Sequence, residues 1–196
     1  MTQTQEQSVW RSLAAIRRGV PTPPPDHPGN VFLLGDEVRV PVPPDCAGKA
    51  KRWRAADDRG DAAGEGGLGD AATPAVVGKL GLGWYRLEFL DAGGQPVGWT
   101  TAAVLAKLAE PVPQDSPVCV DSATAWFARH YRPDDAKHQE ILAQLAALAG
   151  VNWIRDRMSW GEEEPAAGKL AENTIYESSA TLQAKHGLKV LQVFHG

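Results

Sequence analysis

The second half of the chain alternates apolar runs with helical patterns, and this order constrains the fold more than any other feature. The apolar runs cover residues 118–120, 151–154 and 188–194. Helical patterns lie between them, over about 135–149 and 175–185, and Gly150 and Gly187 follow the two helices as left-handed caps. An order of strand, helix, strand, helix and strand predicts right-handed crossovers and a parallel sheet of three strands.

Three parallel strands and two helices are too few to form a closed α/β fold. A parallel sheet is stable when both of its faces are covered, and a barrel needs more strands to close. We therefore expect an incomplete α/β layer whose third strand is an unpaired apolar edge. Through Val190, Leu191, Val193 and Phe194 the chain is expected to self-associate.

The first half has the period of β-strands. Tyr85, Leu87 and Phe89 alternate with Trp84, Arg86 and Glu88, and Val38, Val40 and Val42 alternate in the same way. Turn residues at 58–60 and 92–94 separate these runs, which predicts an antiparallel β-sandwich over residues 30–108. The stretch 64–75 is rich in Gly, Ala and Asp, so we predict a surface loop without a function there.

Proline-rich segments divide the chain. Residues 1–29 are expected to hold a short helix over 8–18 and a proline-rich linker, and residues 109–117 a second linker. The sandwich is then predicted at 30–108 and the α/β part at 118–196. The protein is thus expected to have more than one domain.

Composition excludes several partners. The formal net charge of −4 and a pI near 5.7 leave no basic excess for binding nucleic acid. The sequence has no run of about 18 apolar residues, so no membrane span is predicted. No signal peptide is visible, so we expect a cytoplasmic protein if the sequence starts as written and an exported one if its start is incomplete. Cys46 and Cys119 are expected to be free thiols, and no metal site or cofactor is predicted.

Two segments carry a resemblance to a known family. The string GVNWIRDRMSWG at 150–161, with Glu164, Pro165 and Gly168, and the string GLKVLQVFH at 187–195 resemble the second and third strands of retaining glycoside hydrolases built on (β/α)₈ barrels. The resemblance covers about residues 117–196. It implies a TIM-barrel fragment that ends after strand three, a carbohydrate substrate, hydrolysis of O-glycosyl bonds and no metal or organic cofactor. The sandwich resembles the accessory domain that often precedes such barrels.

The resemblance also implies three substrate-binding residues. Arg155, which follows the second predicted strand, matches the arginine that hydrogen-bonds the nucleophilic carboxylate in the family. His195 matches a histidine of the sugar pocket, and Trp160 is an aromatic wall for a sugar ring. The alternatives are that Arg155 is an ordinary surface or salt-bridged arginine and that Trp160 packs under a loop.

No catalytic residue is expected in this chain. The family takes its two carboxylates from strands four and seven, so the chain alone is predicted to be inactive. The run 162–164 of three glutamates is interpreted as a solvated acidic loop. Residues His130, Asp134, Asp135 and His138 match no metal-ligand spacing, and the glycines at 78, 81 and 83 precede a strand rather than the helix of a phosphate loop.

A second function is left open. The strand-rich half is alternatively a noncatalytic carbohydrate-binding or domain-packing module. The tryptophans at 10, 53, 84 and 99 are interpreted mainly as core or turn residues, although an exposed pair would suit stacking on sugars.

Overall fold

The chain divides into two compact units, residues 1–106 and 107–196. The computed structural model describes residues 26–70, 73–108, 115–126 and 136–195. The predicted helix over 8–18 and most of the predicted linker over 109–117 lie outside the described residues.

The first unit contains two sheets. A five-stranded sheet has the order β1-β7-β6-β3-β4, and β2 and β5 form a separate antiparallel pair. A 3-10 turn at Pro28–Asn30 precedes β1. The strands are β1 Val31–Leu33, β2 Val38–Val40, β3 Arg52–Asp57, β4 Ala62–Gly67, β5 Ala75–Gly78, β6 Gly83–Leu90 and β7 Pro96–Leu105.

The five-stranded sheet is mixed, so the prediction of an entirely antiparallel arrangement is wrong at one pairing. Strand β1 runs parallel to β7, with Phe32 opposite Val104. Because about 70 residues separate these strands, no hairpin turn forces them into opposite directions. The register places the buried Phe32 and Val104 together, and the Asn30 side chain donates a hydrogen bond to the Thr101 carbonyl at 3.0 Å.

Both sheets contribute to one apolar core. The alternation on β6 is confirmed, because Tyr85, Leu87 and Phe89 are all buried. Val38 and Val40 of β2 are fully buried in the same cluster. The cluster comprises Phe32, Val38, Val40, Cys46, Ala50, Trp53, Ala55, Ala75, Tyr85, Leu87, Phe89, Ala102 and Val104.

The predicted loop over 64–75 is wrong at both ends, since β4 includes residues 64–67 and β5 begins at Ala75. One of the glycines that suggested a loop, Gly66, is required by packing. A Cβ at Gly66 would lie 2.8 to 2.9 Å from three atoms of the Trp53 indole, so only glycine lets the strand pass over this buried ring.

The second unit contains a parallel sheet of three strands in the order β10-β9-β8. The expected parallel pairing is confirmed, with Val120 opposite Ile154 and Ile154 opposite Val190. Gly150 and Gly187 have φ values of 77° and 78°, as expected for residues that end helices. The elements are β8 Cys119–Asp121, α1 Ala136–Leu148, β9 Trp153–Ser159, α2 Trp160–Glu163, α3 Ile175–Lys185 and β10 Lys189–His195.

Helices α1 and α3 pack on the same face of this sheet. Ile154 of β9 packs in one cluster with Ala143 of α1, and Asp156, two residues along β9, accepts a hydrogen bond from Gln183 of α3. The packing face of α1 differs from the apolar face that its periodicity suggests. Ile141, Leu145 and Leu148 are only half-buried, whereas the alanines at 143, 146 and 147 make the contact because small side chains allow a close approach.

Candidate functional site

A cluster of three charged side chains lies on the face of the parallel sheet opposite α1 and α3. Asp121 is the last residue of β8 and pairs in register with Arg155 on β9. The Oδ2 atom of Asp121 accepts a hydrogen bond from Arg155 Nη1 and lies 3.8 Å from Arg157 Nη2. One carboxylate therefore serves two guanidinium groups, and the cluster carries a net positive charge.

The alternation of β9 explains why the two arginines share a face. Ile154 and Asp156 are buried toward the helices, so the residues next to them point the other way. Arg155 does not follow the strand, as the sequence had suggested, because β9 continues to Ser159. The backbone pairing of β9 with β10 extends that far, which places Arg155 inside the sheet.

The solvent exposure of this cluster limits how much its ion pairs can stabilise the fold. The side chains of Arg155, Asp121 and Arg157 are 38%, 45% and 48% exposed. Ion pairs at such positions stabilise a fold by about 0–1 kcal/mol, which is too little to explain the arrangement as a stabilising element. What Asp121 does provide is orientation, because a planar guanidinium bound on one side presents its remaining N–H donors in a fixed direction.

Trp160 directly follows the carboxyl end of β9. It is the first residue of α2, and its ring centroid is 5.7 Å from that of Phe194 in an edge-to-face arrangement. Phe194 pairs in register with Met158, at a position that alternation assigns to the helix-bearing face. Both rings are about half exposed. Phe194 is a partner of Trp160 that the sequence did not reveal, because the two residues are brought together by the pairing of β9 with β10.

His195 is the last residue of β10, and its backbone pairs with Ser159. Its side chain lies outside the described part of the chain. A role for His195 in a sugar pocket stays a prediction.

The three glutamates at 162–164 do not form a solvated loop, and that interpretation is wrong. The Tyr176 hydroxyl donates to Glu162 Oε2 at 2.6 Å, and the Gly168 backbone N–H donates to Glu164 Oε1 at 2.6 Å. The Ala171 N–H donates to the Glu163 carbonyl at 2.7 Å. Glu162 and Glu163 lie in α2, and all three glutamate side chains are half-buried.

Asp156 is a buried acid that sequence analysis did not single out. Its side chain is fully buried and accepts from the backbone N–H of Ala125 at 3.1 and 3.2 Å, and from that of Arg157 at 2.9 Å. Gln183 Nε2 donates to it at 3.1 Å. A buried carboxylate is stable only with such partners, so Asp156 ties the segment after β8 and helix α3 to β9 and supports the strand that carries Arg155.

Metal ligands do not cluster in the described parts of the chain: there, no group of three or more His, Cys, Asp or Glu is placed to hold an ion. His130, Asp134 and Asp135 lie outside those parts. Among the described helices, none is long and apolar enough to cross a membrane.

The tryptophans of the first unit have different environments. Trp53 is buried in the core, whereas Trp84 is 45% exposed. Trp99 lies beneath the guanidinium of Arg86, which is 4.8 Å from its ring centroid. Trp10 lies outside the described residues.

Comparisons with known proteins give a match in structure only. No family model matches the sequence, and no curated protein matches it. A family 39 glycoside hydrolase from the gut symbiont Bacteroides cellulosilyticus WH2 matches with a TM-score of 0.58 and 22% identity, over 85% of this chain and 32% of the other. The likeness is one of fold. This chain spans about a third of the length of that structure.

A second solved structure gives no support. The extracellular domain of mouse leukocyte-associated immunoglobulin-like receptor 1, in a strand-swapped dimer, matches over 42% of this chain and 85% of its own, with 16% identity. Its TM-score of 0.29 is too low to inform the fold.

Proposed function

We propose that residues 118–196 form the first three βα units of a (β/α)₈ barrel in a retaining glycoside hydrolase. The strand-rich first unit is then the accessory β-sandwich that precedes the barrel. The substrate is a carbohydrate, and the reaction is hydrolysis of an O-glycosyl bond. The fold likeness to a family 39 glycoside hydrolase across 85% of the chain supports the proposal.

The arrangement of the parallel sheet is the observation that carries it. Strands β8, β9 and β10 are neighbours in chain order, and both α1 and α3 pack on the face of Ile154. Barrels keep the chain order of their strands and place all helices on one face, and the three strands here agree with that. One half of a doubly wound sheet has the same local arrangement, so the fold likeness to the glycoside hydrolase is what favours the barrel. The opposite face, which carries Arg155, becomes the barrel interior.

The charges on that face suit the chemistry. Retaining hydrolysis uses an acid/base carboxyl and a nucleophilic carboxylate about 5–5.5 Å apart, so it needs no metal or organic cofactor. Arg155 and Arg157 outnumber Asp121 in the cluster, and Asp121 orients Arg155. An oriented guanidinium binds a carboxylate through two parallel N–H donors, which would keep a nucleophile ionised. Trp160 and His195 are proposed to contact the sugar.

The test compares two proteins on a panel of aryl glycosides. One is the chain of residues 1–196, and the other is the product of the coding sequence continued in frame beyond codon 196. We expect turnover by the longer product only, because two carboxylates must be supplied by further strands. Turnover by residues 1–196 above a heat-killed control contradicts the predicted inactivity, and an inactive longer product contradicts the proposal.

A matched pair of variants in the longer product tests the role of Arg155. Arg155→Lys keeps the charge but removes the planar fork, and we expect kcat/KM to fall by about 100-fold. Arg39→Lys makes the same change at an arginine that is paired with Glu37 in the first unit, and we expect activity to be retained. Equal effects of the two variants contradict an interaction between Arg155 and the nucleophile.

We also propose that the chain of residues 1–196 self-associates through β10. Leu191 and Phe194 on this strand are 51% and 57% exposed. An apolar strand at the edge of a sheet pairs readily with other chains. Size-exclusion chromatography is expected to show concentration-dependent oligomers, and a sharp monomer peak at all concentrations contradicts this proposal.

A further inference from the structure

A cavity lies on the outward face of the five-stranded sheet of the first unit. Its volume is about 720 Å³, and strands β3, β4 and β6 form its walls. Small residues line part of it, with Ala56 on β3, Ala62 on β4 and Gly60 in the turn between them. Small-molecule sites have volumes of about 300–1,000 Å³, so this cavity has room for a ligand the size of a sugar unit or two.

Charged groups on one side of the cavity are held in a fixed arrangement. Arg54 Nε donates to Glu88 Oε2 at 2.7 Å, and Arg54 Nη2 is 2.6 Å from the same oxygen. Arg86 Nε lies 3.3 Å from Glu88 Oε1. Glu88 is the least exposed of the three side chains at 21%, so it sits between two guanidinium groups that reach further into solvent.

An aromatic contact fixes the second arginine. The guanidinium of Arg86 lies over the ring of Trp99 on β7, 4.8 Å from the ring centroid. A cation held over a tryptophan face loses little further side-chain entropy when it binds a ligand. Arg86 is therefore positioned before any ligand arrives.

The arginines of the cavity favour an anion. Two arginines and two glutamates line it, and one of the glutamates, Glu65, is also 3.5 Å from Arg52, which lies outside the lining. With Arg52 counted, the five side chains carry one net positive charge. Arg54 uses Nε and Nη2 on Glu88, which leaves the two N–H donors of Nη1 without a partner among the described residues. Paired N–H donors of arginine match the geometry of a carboxylate.

We propose that this cavity binds a carboxylate-bearing sugar, with Arg54 as the main contact to the carboxylate. The small residues at 56, 60 and 62 leave space for the sugar ring beside it. That the anion is part of a sugar rests on the proposed function, whereas the choice of a carboxylate rests on the cavity itself. The first unit thereby binds acidic carbohydrate independently of any catalysis.

The experiment is a ¹H–¹⁵N NMR titration of the 196-residue chain with trigalacturonate, maltotriose or sodium sulfate. We expect trigalacturonate to shift the amide signals of residues 54–65 and 86–88, with an affinity that weakens as salt is raised. No shift up to about 10 mM overturns the proposal. Equal binding of maltotriose overturns the role of the carboxylate, and equal binding of sulfate overturns the role of the sugar.

Three variants locate the site. Arg54→Gln is expected to weaken trigalacturonate binding at least about tenfold, because a charge-assisted pair is lost. Arg39→Gln is the matched control, since Arg39 is equally exposed and also paired with a glutamate, and its affinity is expected to stay unchanged. If Arg155→Gln weakens trigalacturonate binding and Arg54→Gln does not, this inference is overturned and the proposed function is unaffected.

Discussion

The contact between Gly66 and Trp53 makes a sharp prediction about stability. Strand β4 passes over a buried indole, and a Cβ at Gly66 would lie 2.8 Å from Cζ2 and 2.9 Å from both Cε2 and Nε1. The neighbouring Gly67 points away, and a Cβ there meets nothing within 4 Å. Alanine at these two adjacent positions therefore tests the same strand with opposite expected outcomes.

The magnitude follows from two opposing effects. Overpacking a well-packed core lowers the free energy of unfolding by about 1–3 kcal/mol. Replacing glycine by alanine raises it by about 0.4–1 kcal/mol, because alanine reduces the conformational entropy of the unfolded chain. Trp53 is only 5% exposed, so its ring has little room to move. We expect Gly66→Ala to lower the free energy of unfolding by about 1–2 kcal/mol and Gly67→Ala to leave it equal or slightly higher.

Urea unfolding followed by circular dichroism measures both variants. In a Trp53→Phe background the ring is smaller and lacks the indole nitrogen, so the cost of Gly66→Ala should fall by about 1 kcal/mol in a double-mutant cycle. Equal costs at Gly66 and Gly67, or a cost at Gly66 that is unchanged by Trp53→Phe, would refute the packing explanation.

Three further predictions concern other contacts. The hydrogen bond from Lys185 lowers the pKa of Glu140 below its ordinary value of 4.5. The contact between α1 and α3 should therefore stabilise the fold fully above pH 4.5, and this stabilisation should be lost as the pH falls through the lower pKa of the folded state. The melting temperatures of the wild type and Glu140→Gln should converge in acid. A difference in melting temperature that is the same at every pH contradicts this, and so does a difference that persists when both proteins also carry Lys185→Gln. Burial and then Asp45 raise the pKa of the Cys46 thiol, whereas Cys119 is exposed, so Ellman's reagent should titrate one thiol in the folded chain and two in urea. Rapid reaction of both thiols in the folded chain contradicts the burial of Cys46. A Cβ at Gly98 overlaps the Cys46 sulfur, so Gly98→Ala should cost about 1–3 kcal/mol in urea unfolding, and Cys46→Ala should relieve it. An additive double mutant contradicts that overlap.

Periodicity was sufficient where one strong pattern decides the structure. The alternation of Tyr85, Leu87 and Phe89 predicts the buried face of β6, and the apolar runs with Gly150 and Gly187 predict the three parallel strands. Each of these patterns is local, so the sequence contains all that is needed to recognise it.

Features that depend on distant partners were not predictable in the same way. Strand β4 looked like a loop because the need for glycine at position 66 comes from Trp53, which lies on another strand. Strand β1 runs parallel to β7 because of a pairing across about 70 residues. No local pattern distinguishes that direction from its reverse.

The candidate site shows the same division. Arg155 was identified from its motif. Its partner Asp121 could not be predicted, because the two residues meet through the register of β8 against β9. Asp156 gave one signal in the sequence, since it lies two residues from both Ile154 and Met158, at the period of one strand face. The structure shows that this position is buried, where a charged residue needs several partners. Those partners come from α3 and from the segment after β8.

The stereochemistry of the reaction tests the central claim most directly. The product of the coding sequence continued beyond codon 196 is incubated with an aryl glycoside, and ¹H NMR records the anomeric configuration of the sugar first released. A barrel with a nucleophile bound by Arg155 predicts release with retained configuration, because two displacements occur at the anomeric carbon. Release with inverted configuration, or no hydrolysis across the panel, contradicts it.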